Sequence, residues 1–178
     1  MMNGKGKSGK VSFENTVFMP KEEHLETAVK NRRISIGVPC EKNDDEKRVA
    51  LTPEAVYLLV ESDNEVIVQK GAGLGANYTD KDYSENGAII SDSPARVYSA
   101  DAVIKVAPFS ENETEYLKGN QVILSYLNVL KLSEETLGKL IRKKVTAIAL
   151  EKISDNNGQM PIVESMSEIA GITSLLIA

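Results

Sequence analysis

Residues Ile34 to Leu59 read ISIGVPCEKNDDEKRVALTPEAVYLL, a strand, an acidic loop and a helix in immediate succession. Ile34, Ile36 and Val38 form a short apolar run that ends at Gly37-Val38-Pro39. Arg48-Val49-Ala50-Leu51-Thr52-Pro53 then leads into a helix with a well-formed start: Thr52 as N-cap, Pro53 at the first helical position and Glu54 in the first turn, where negative charge is favoured. Val56, Leu59 and Val60 recur at i, i+3, i+4, the stripe of a helix laid on a sheet. Arg48 stands just before that helix, and a fixed cation beside helical N–H groups suits a carboxylate or phosphate. The simpler physical reading pairs the arginine with Asp44, Asp45 or Glu46 in its own loop, and elementary electrostatics alone favours it.

The pattern repeats outward. Glu65–Gln69 (EVIVQ) predicts a second strand, Ala88–Ile90 a short third, and Ala102–Val106, Gln121–Tyr126 and Val145–Leu150 three more. Between them lie helix signals: Thr79, Ser93-Pro94, a Ser110/Glu113 capping box with Gly119 closing, and Ser133 followed by Glu134 and Glu135. The helix after Ser133 has Leu137, Leu140 and Ile141 as its stripe, and Arg142, Lys143 and Lys144 in its last turn suit its dipole. Strands that read as continuous apolar runs, alternating with helices, predict a doubly wound, mostly parallel α/β sheet, Rossmann-like or flavodoxin-like.

The segment GAGLGA invites a different reading. Gly71, Gly73 and Ala76 satisfy the G-x-G-x-x-A spacing of a dinucleotide-binding turn directly after a strand, with Asp92 the expected ~20 residues on. That turn needs a helix whose N-terminus faces the pyrophosphate, and Asn77-Tyr78-Thr79-Asp80-Lys81-Asp82 has no apolar stripe before Tyr83. A tight turn is the expectation, and the domain is read as lacking a dinucleotide fingerprint of its own.

Composition removes other classes. A chain of 178 residues, 42% hydrophobic and 26% charged, is ordinary for a globular domain. A net charge of −5, with no basic run beyond Arg142-Lys143-Lys144, argues against nucleic acid. Cys40 is the only cysteine, which excludes an internal disulfide and a cysteine-based metal cluster and points to a reducing, cytoplasmic location. No apolar run approaches the ~20 residues of a membrane span. The single histidine, His24, lies in PKEEHLETAVK, an exposed polar helix by pattern, so histidine-dependent triads and multi-histidine metal sites are set aside. Met1 to Lys10 reads as flexible, and Pro20 to Lys30 as one helix with Leu25 and Val29 on one side.

Several segments in order resemble the alanine dehydrogenase and nicotinamide nucleotide transhydrogenase (alpha subunit) family. They are G-V-P-x-E and K-R-V-A-L-T-P-x-x-V in the opening stretch, V-I-V-Q-K-G-A-G-L-G (Val66 to Gly75), D-Y-S-E-N-G-A (Asp82 to Ala88), D-A-V-I-K-V (Asp101 to Val106), V-T-A-I-A-L-E (Val145 to Glu151) and S-M-S-E-I-A-G (Ser165 to Gly171). The resemblance covers roughly Arg33 onward. It implies the family's N-terminal, substrate-holding domain, L-alanine oxidised to pyruvate and ammonia, NAD bound mainly by a separate domain, and a homo-oligomer. The expected layout is an extension over residues 1–33, the substrate domain over 34–164, and from 165 to 178 the start of a helix leading to an NAD-binding domain. Ser165 and Glu168 would cap that helix, whose stripe Ile169, Ile172, Leu176 runs into the last residues. The competing reading is a terminal helix docked in its own core.

Ligands of open α/β sheets collect at the carboxyl ends of the strands. That rule selects Arg48, Lys105 and Asn128 as substrate-binding residues: the first for a carboxylate, the second for positive potential or a hydrogen bond, the third for a carbonyl or amine. Lys105 also reads as a snorkelling strand-end side chain and Asn128 as a turn residue. In the resemblance, Arg48 matches the family's carboxylate-binding residue, while its substrate lysine falls on Ala107 and its histidine on Asn128, so no catalytic residue is assigned. The ligand class is a small amino acid or 2-oxo acid. A transhydrogenase domain, whose pattern K-V-x-A-P is close to Lys105-Val106-Ala107-Pro108, and a non-catalytic anion-binding module are the other readings.

Overall fold

In the computed structural model, residues 33–177 apart from 44, 130 and 131 are described, so the expectations for His24, the Pro20 to Lys30 helix and Asp44 lie outside the described residues. Six strands make one sheet: β1 (Ser35–Val38), β2 (Glu65–Gln69), β3 (Ile89–Ser91), β4 (Ala102–Ile104), β5 (Val122–Ser125) and β6 (Thr146–Ala149). Their order is β3-β2-β1-β4-β5-β6 and every neighbouring pair is parallel. The chain winds outward from β1 to β3, returns to lie beside β1 as β4, and winds outward again. The reversal between β1 and β4 opens a crevice at their carboxyl ends.

The helices are α1 (Pro53–Glu61), α2 (Asp80–Glu85), α3 (Pro94–Tyr98), α4 (Glu111–Tyr116), α5 (Glu134–Arg142) and α6 (Pro161–Ile177). On one face α1 and α2 bury Val56 and Tyr83 against Ile36, Val38, Val66 and Val68. On the other, Tyr98, Phe109, Leu117 and Leu140 close over Val103 and Ile123. The strand residues of the first core lie two apart, Ile36 with Val38 and Val66 with Val68, as the pleat requires.

Local chemistry accounts for the starts. Thr52 Oγ1 accepts from Ala55 N at 3.3 Å and Pro53 opens α1. At α2, Asp82 Oδ2 accepts from Thr79 N at 2.7 Å while Thr79 Oγ1 accepts from Asp82 N at 3.2 Å. The glycine segment is a turn followed by a single 3₁₀ turn, Leu74–Ala76, with no helix at the phosphate-binding position. Gly71 has φ +81, and a methyl on Gly75 would come 2.9 Å from Lys47 O, so these glycines serve a left-handed turn and a close approach to the loop that carries Arg48.

Three expectations are corrected. The last helix begins at Pro161, not at a cap on Ser165: Ser165 Oγ donates to Pro161 O at 2.8 Å from within the helix, and the proline supplies the start. In α5 only Leu140 of the expected stripe is buried, Leu137 and Ile141 facing outward, because this helix lies over the edge of the sheet and buries Thr136 beside Leu140. Lys143 does not serve its own helix dipole; its Nζ donates to Thr114 O, Glu115 O and Leu117 O at 2.7–2.9 Å, satisfying the carbonyls at the end of α4.

Candidate functional site

The loop after β1 is fastened at its start. Cys40 N donates to Gln69 Oε1 at 3.0 Å, and the Glu41 carboxylate accepts from Val106 N at 2.6 Å and Ala107 N at 3.3 Å. The tip of β1 is thereby tied to the tips of both its neighbours. The same device recurs one strand on, where the Glu151 carboxylate, just past β6, accepts from Leu127 N at 3.1 Å and Asn128 N at 2.8 Å. Each glutamate satisfies two backbone donors where a parallel ladder runs out. Neither was selected in the sequence. The available signal was an acidic residue immediately after an apolar strand, in V-P-C-E and I-A-L-E.

Lys105, expected at the crevice, sends its ammonium group inward. The side chain is 2% exposed, its Nζ lies 2.9 Å from Glu113 Oε1 and 3.5 Å from Glu41 Oε2, and it sits 5.5 Å from the Phe109 ring centroid. Tyr98 donates its hydroxyl to the same Glu113 oxygen at 2.6 Å, while the other Glu113 oxygen accepts from Ser110 N and Oγ at 2.7 and 2.8 Å. Burial opposes ionisation of Glu113, but the Lys105 charge and these donors outweigh it and hold the carboxyl below its ordinary range. Burial and the Glu113 charge push the Tyr98 phenol far up, so it stays a donor. Whatever positive potential Lys105 offers is met in place by two carboxylates.

Arg48 takes the partner that electrostatics favoured. Glu46 Oε1 accepts from Arg48 Nε at 2.7 Å and from its backbone N at 3.0 Å, while Oε2 accepts from Nη2 at 2.6 Å. The remaining nitrogen, Nη1, lies 3.2 Å from Met166 Sδ on α6. The hydrogen bond from Arg48 holds Glu46 below the usual carboxylate range despite partial burial. The guanidinium remains about half exposed.

It faces a crevice of about 410 Å³ at the reversal of strand order, whose walls include Glu46, Ala107, Tyr126, Asn128 and Glu151. Arg48 and Asn128 therefore meet at one site, with Ala107 between the tips of the strands that carry them. Asn128 has φ +44, a left-handed turn conformation that asparagine tolerates, and is exposed. Behind Arg48 a second, apolar groove of about 850 Å³ separates the ends of β4 and β5 from α6, lined by Ile104, Val106, Tyr126, Ile162, Met166 and Ile169. Among the described residues no group of three or more His, Cys, Asp or Glu could hold a metal ion. Among them too, no helix is long and apolar enough to cross a membrane.

This arrangement, a half-exposed guanidinium and an amide at parallel strand tips, can hold a small carboxylate and hydrogen-bond a polar group beside it. Comparison with known proteins gives the family. The family model described as "Alanine dehydrogenase/PNT, N-terminal domain" matches residues 37–170. An alanine dehydrogenase of Staphylococcus saprophyticus is 40% identical over 143 residues, covering 80% of this chain and 38% of that protein. Among solved structures, an L-alanine dehydrogenase superposes with a TM-score of 0.77 at 34% identity, over 81% of this chain and 40% of that one. The transhydrogenase from Sinorhizobium meliloti does so with 0.61 at 27% identity, over 66% and 35%. The chain thus spans about two fifths of the length of these relatives.

Proposed function

Since the chain belongs to the alanine dehydrogenase/PNT N-terminal domain family, we propose that residues 34–164 form the substrate-holding domain of an alanine-dehydrogenase-like oxidoreductase, converting L-alanine, water and NAD to pyruvate, ammonia and NADH. The observation that carries the reading is the crevice at the strand-order reversal, where Arg48 and Asn128 line one small cavity. Arg48 anchors the carboxylate through the part of its guanidinium that Glu46 leaves open. Asn128 hydrogen-bonds the amine or carbonyl, and Lys105 acts only from behind, through the charge it shares with Glu41 and Glu113. NAD supplies the hydride acceptor and is held mainly outside residues 34–164, with residues 165–178 leading toward it.

Alanine-dependent NADH formation by the full-length protein tests this. Arg48→Ala is expected to raise KM for the amino acid at least tenfold, and an unchanged KM removes Arg48 from the site. The 178-residue chain alone is expected to show no turnover and no tight NAD binding; calorimetry giving a micromolar Kd for NAD would overturn that.

Ala107 and Asn128, standing where the family resemblance sets a lysine and a histidine, favour a second reading as a transhydrogenase domain. Reduction of thio-NAD by NADPH without any amino acid distinguishes the two. Under the first reading, Ala107→Lys with Asn128→His raises alanine-dependent turnover, since both positions border the crevice.

A further inference from the structure

A guanidinium offers two hydrogen-bonding edges, a side edge formed by Nε with one terminal nitrogen and an end edge formed by the two terminal nitrogens. In Arg48 the side edge is closed. Glu46 takes both of its donors at 2.7 and 2.6 Å, and the carboxylate is fixed further by the Arg48 backbone N–H. Glu46 is much less exposed than its partner, 13% against 51%, so this carboxylate is part of the wall rather than a mobile surface group. Among the described residues, the end edge meets only a thioether, Met166 Sδ, a weak acceptor that a carboxylate readily outcompetes.

Glu46 therefore decides which edge a ligand can use, and it also sets the charge the ligand meets. Among the described residues, the other acidic wall residue is Glu151, whose oxygens are engaged by backbone N–H groups at 2.8 and 3.1 Å. One cation faces two carboxylates. A plain anion gains from Arg48 and loses to both glutamates, whereas a ligand carrying an ammonium group beside its carboxylate is attracted by all three.

We propose that Glu46 is a specificity-determining residue of this site, presenting the end edge of Arg48 to the ligand and selecting α-amino acids over acids that lack the ammonium group. The inference rests on the reading of the Arg48 crevice as a carboxylate site. L-Alanine and pyruvate are suitable probes because both place a carboxylate next to a three-carbon skeleton and differ in the charged nitrogen.

The test is titration of the 178-residue chain with each compound, followed by two-dimensional NMR, for the native protein and the variants Glu46→Gln, Glu46→Asp and Arg48→Met. Glutamine keeps an acceptor oxygen for Nε and removes the charge; aspartate keeps the charge. The native chain is expected to prefer L-alanine. Glu46→Gln is expected to tighten pyruvate about fivefold and weaken L-alanine by a similar factor, the effect of one partly screened charge. Glu46→Asp retains the preference, and Arg48→Met abolishes binding of both. If Arg48→Met abolishes binding while Glu46→Gln leaves the ratio of the two Kd values unchanged, this proposal is overturned and the carboxylate site stands. If Arg48→Met changes neither Kd, or the native chain binds neither compound, the carboxylate reading itself falls and takes the proposal with it.

Discussion

At the scale of single residues, the most consequential group is one whose role the sequence left open. Lys105 ends an apolar strand, and neither periodicity nor motif says whether its ammonium group reaches solvent. That depends on Glu41 and Glu113, which are 64 and 8 positions away and meet it only after folding. Removing one partner of such a buried set strands the others, so Lys105→Met should destabilise the domain by about 3–5 kcal/mol, read from the urea midpoint at pH 7. The pH dependence has a definite sign. Glu113 is held below its unfolded value, so its contribution is complete above about pH 4.3 and fades as pH falls through the folded value. Asp101 behaves alike, kept low by hydrogen bonds from Ser35 N and Oγ at 3.0 and 2.9 Å. Glu113→Gln should therefore cost stability at pH 7, and its gap from the native protein should narrow by pH 3.5. A gap of constant size would mean that packing, not ionisation, sets the effect.

At the scale of elements, starts were legible and ends were not. Caps are local: Thr52, Thr79, Ser110 and Ser133 each announce a helix within four residues of sequence, and each helix is present. Terminations depend on distant partners. Gly119 was the expected stop of α4, yet the helix ends at Tyr116 and its last carbonyls are met by Lys143 from the following unit. Lys143→Met should fray that end and cost about 1–3 kcal/mol, with faster amide exchange confined to α4 and the residues just after it. The crevice followed the same division. Arg48 and Asn128 could be placed from strand-tip position alone, while an acidic residue after an apolar strand marks Glu41 and Glu151 without showing what they bind, which appears once β1 lies beside β4 and β5 beside β6. At the centre of the sheet, a methyl on Gly37 would run into the Val97 carbonyl of α3, which makes this strand glycine a packing requirement that motif reading passes over.

At the scale of the molecule, the two faces of the sheet are finished to different degrees. The α3–α5 face is closed. On the other, cover by α1 and α2 thins beyond β4, and Ile148 on β6 remains 37% exposed in register with Leu124 and Ile104. Helix α6 carries exposed Ile169, Ile172, Leu175 and Leu176. Apolar surface of this extent favours self-association, so Leu175→Glu with Leu176→Glu should lower both the binding of a hydrophobic dye and the apparent mass in sedimentation, leaving the urea midpoint unchanged. The doubly wound topology was legible because alternation of apolar runs and capped helices leaves few other arrangements. The open flank was not, since sequence period says that a face is apolar but not what lies against it.

Met166 sits on the sixth residue of α6 and touches the guanidinium at 3.2 Å. A helix of 17 residues is a rod of about 25 Å, and this one is gripped near one end and free of the sheet along most of its length. Any tilt of its distal end is geared down to a small displacement at the sulfur, and the contact passes that displacement to the arginine.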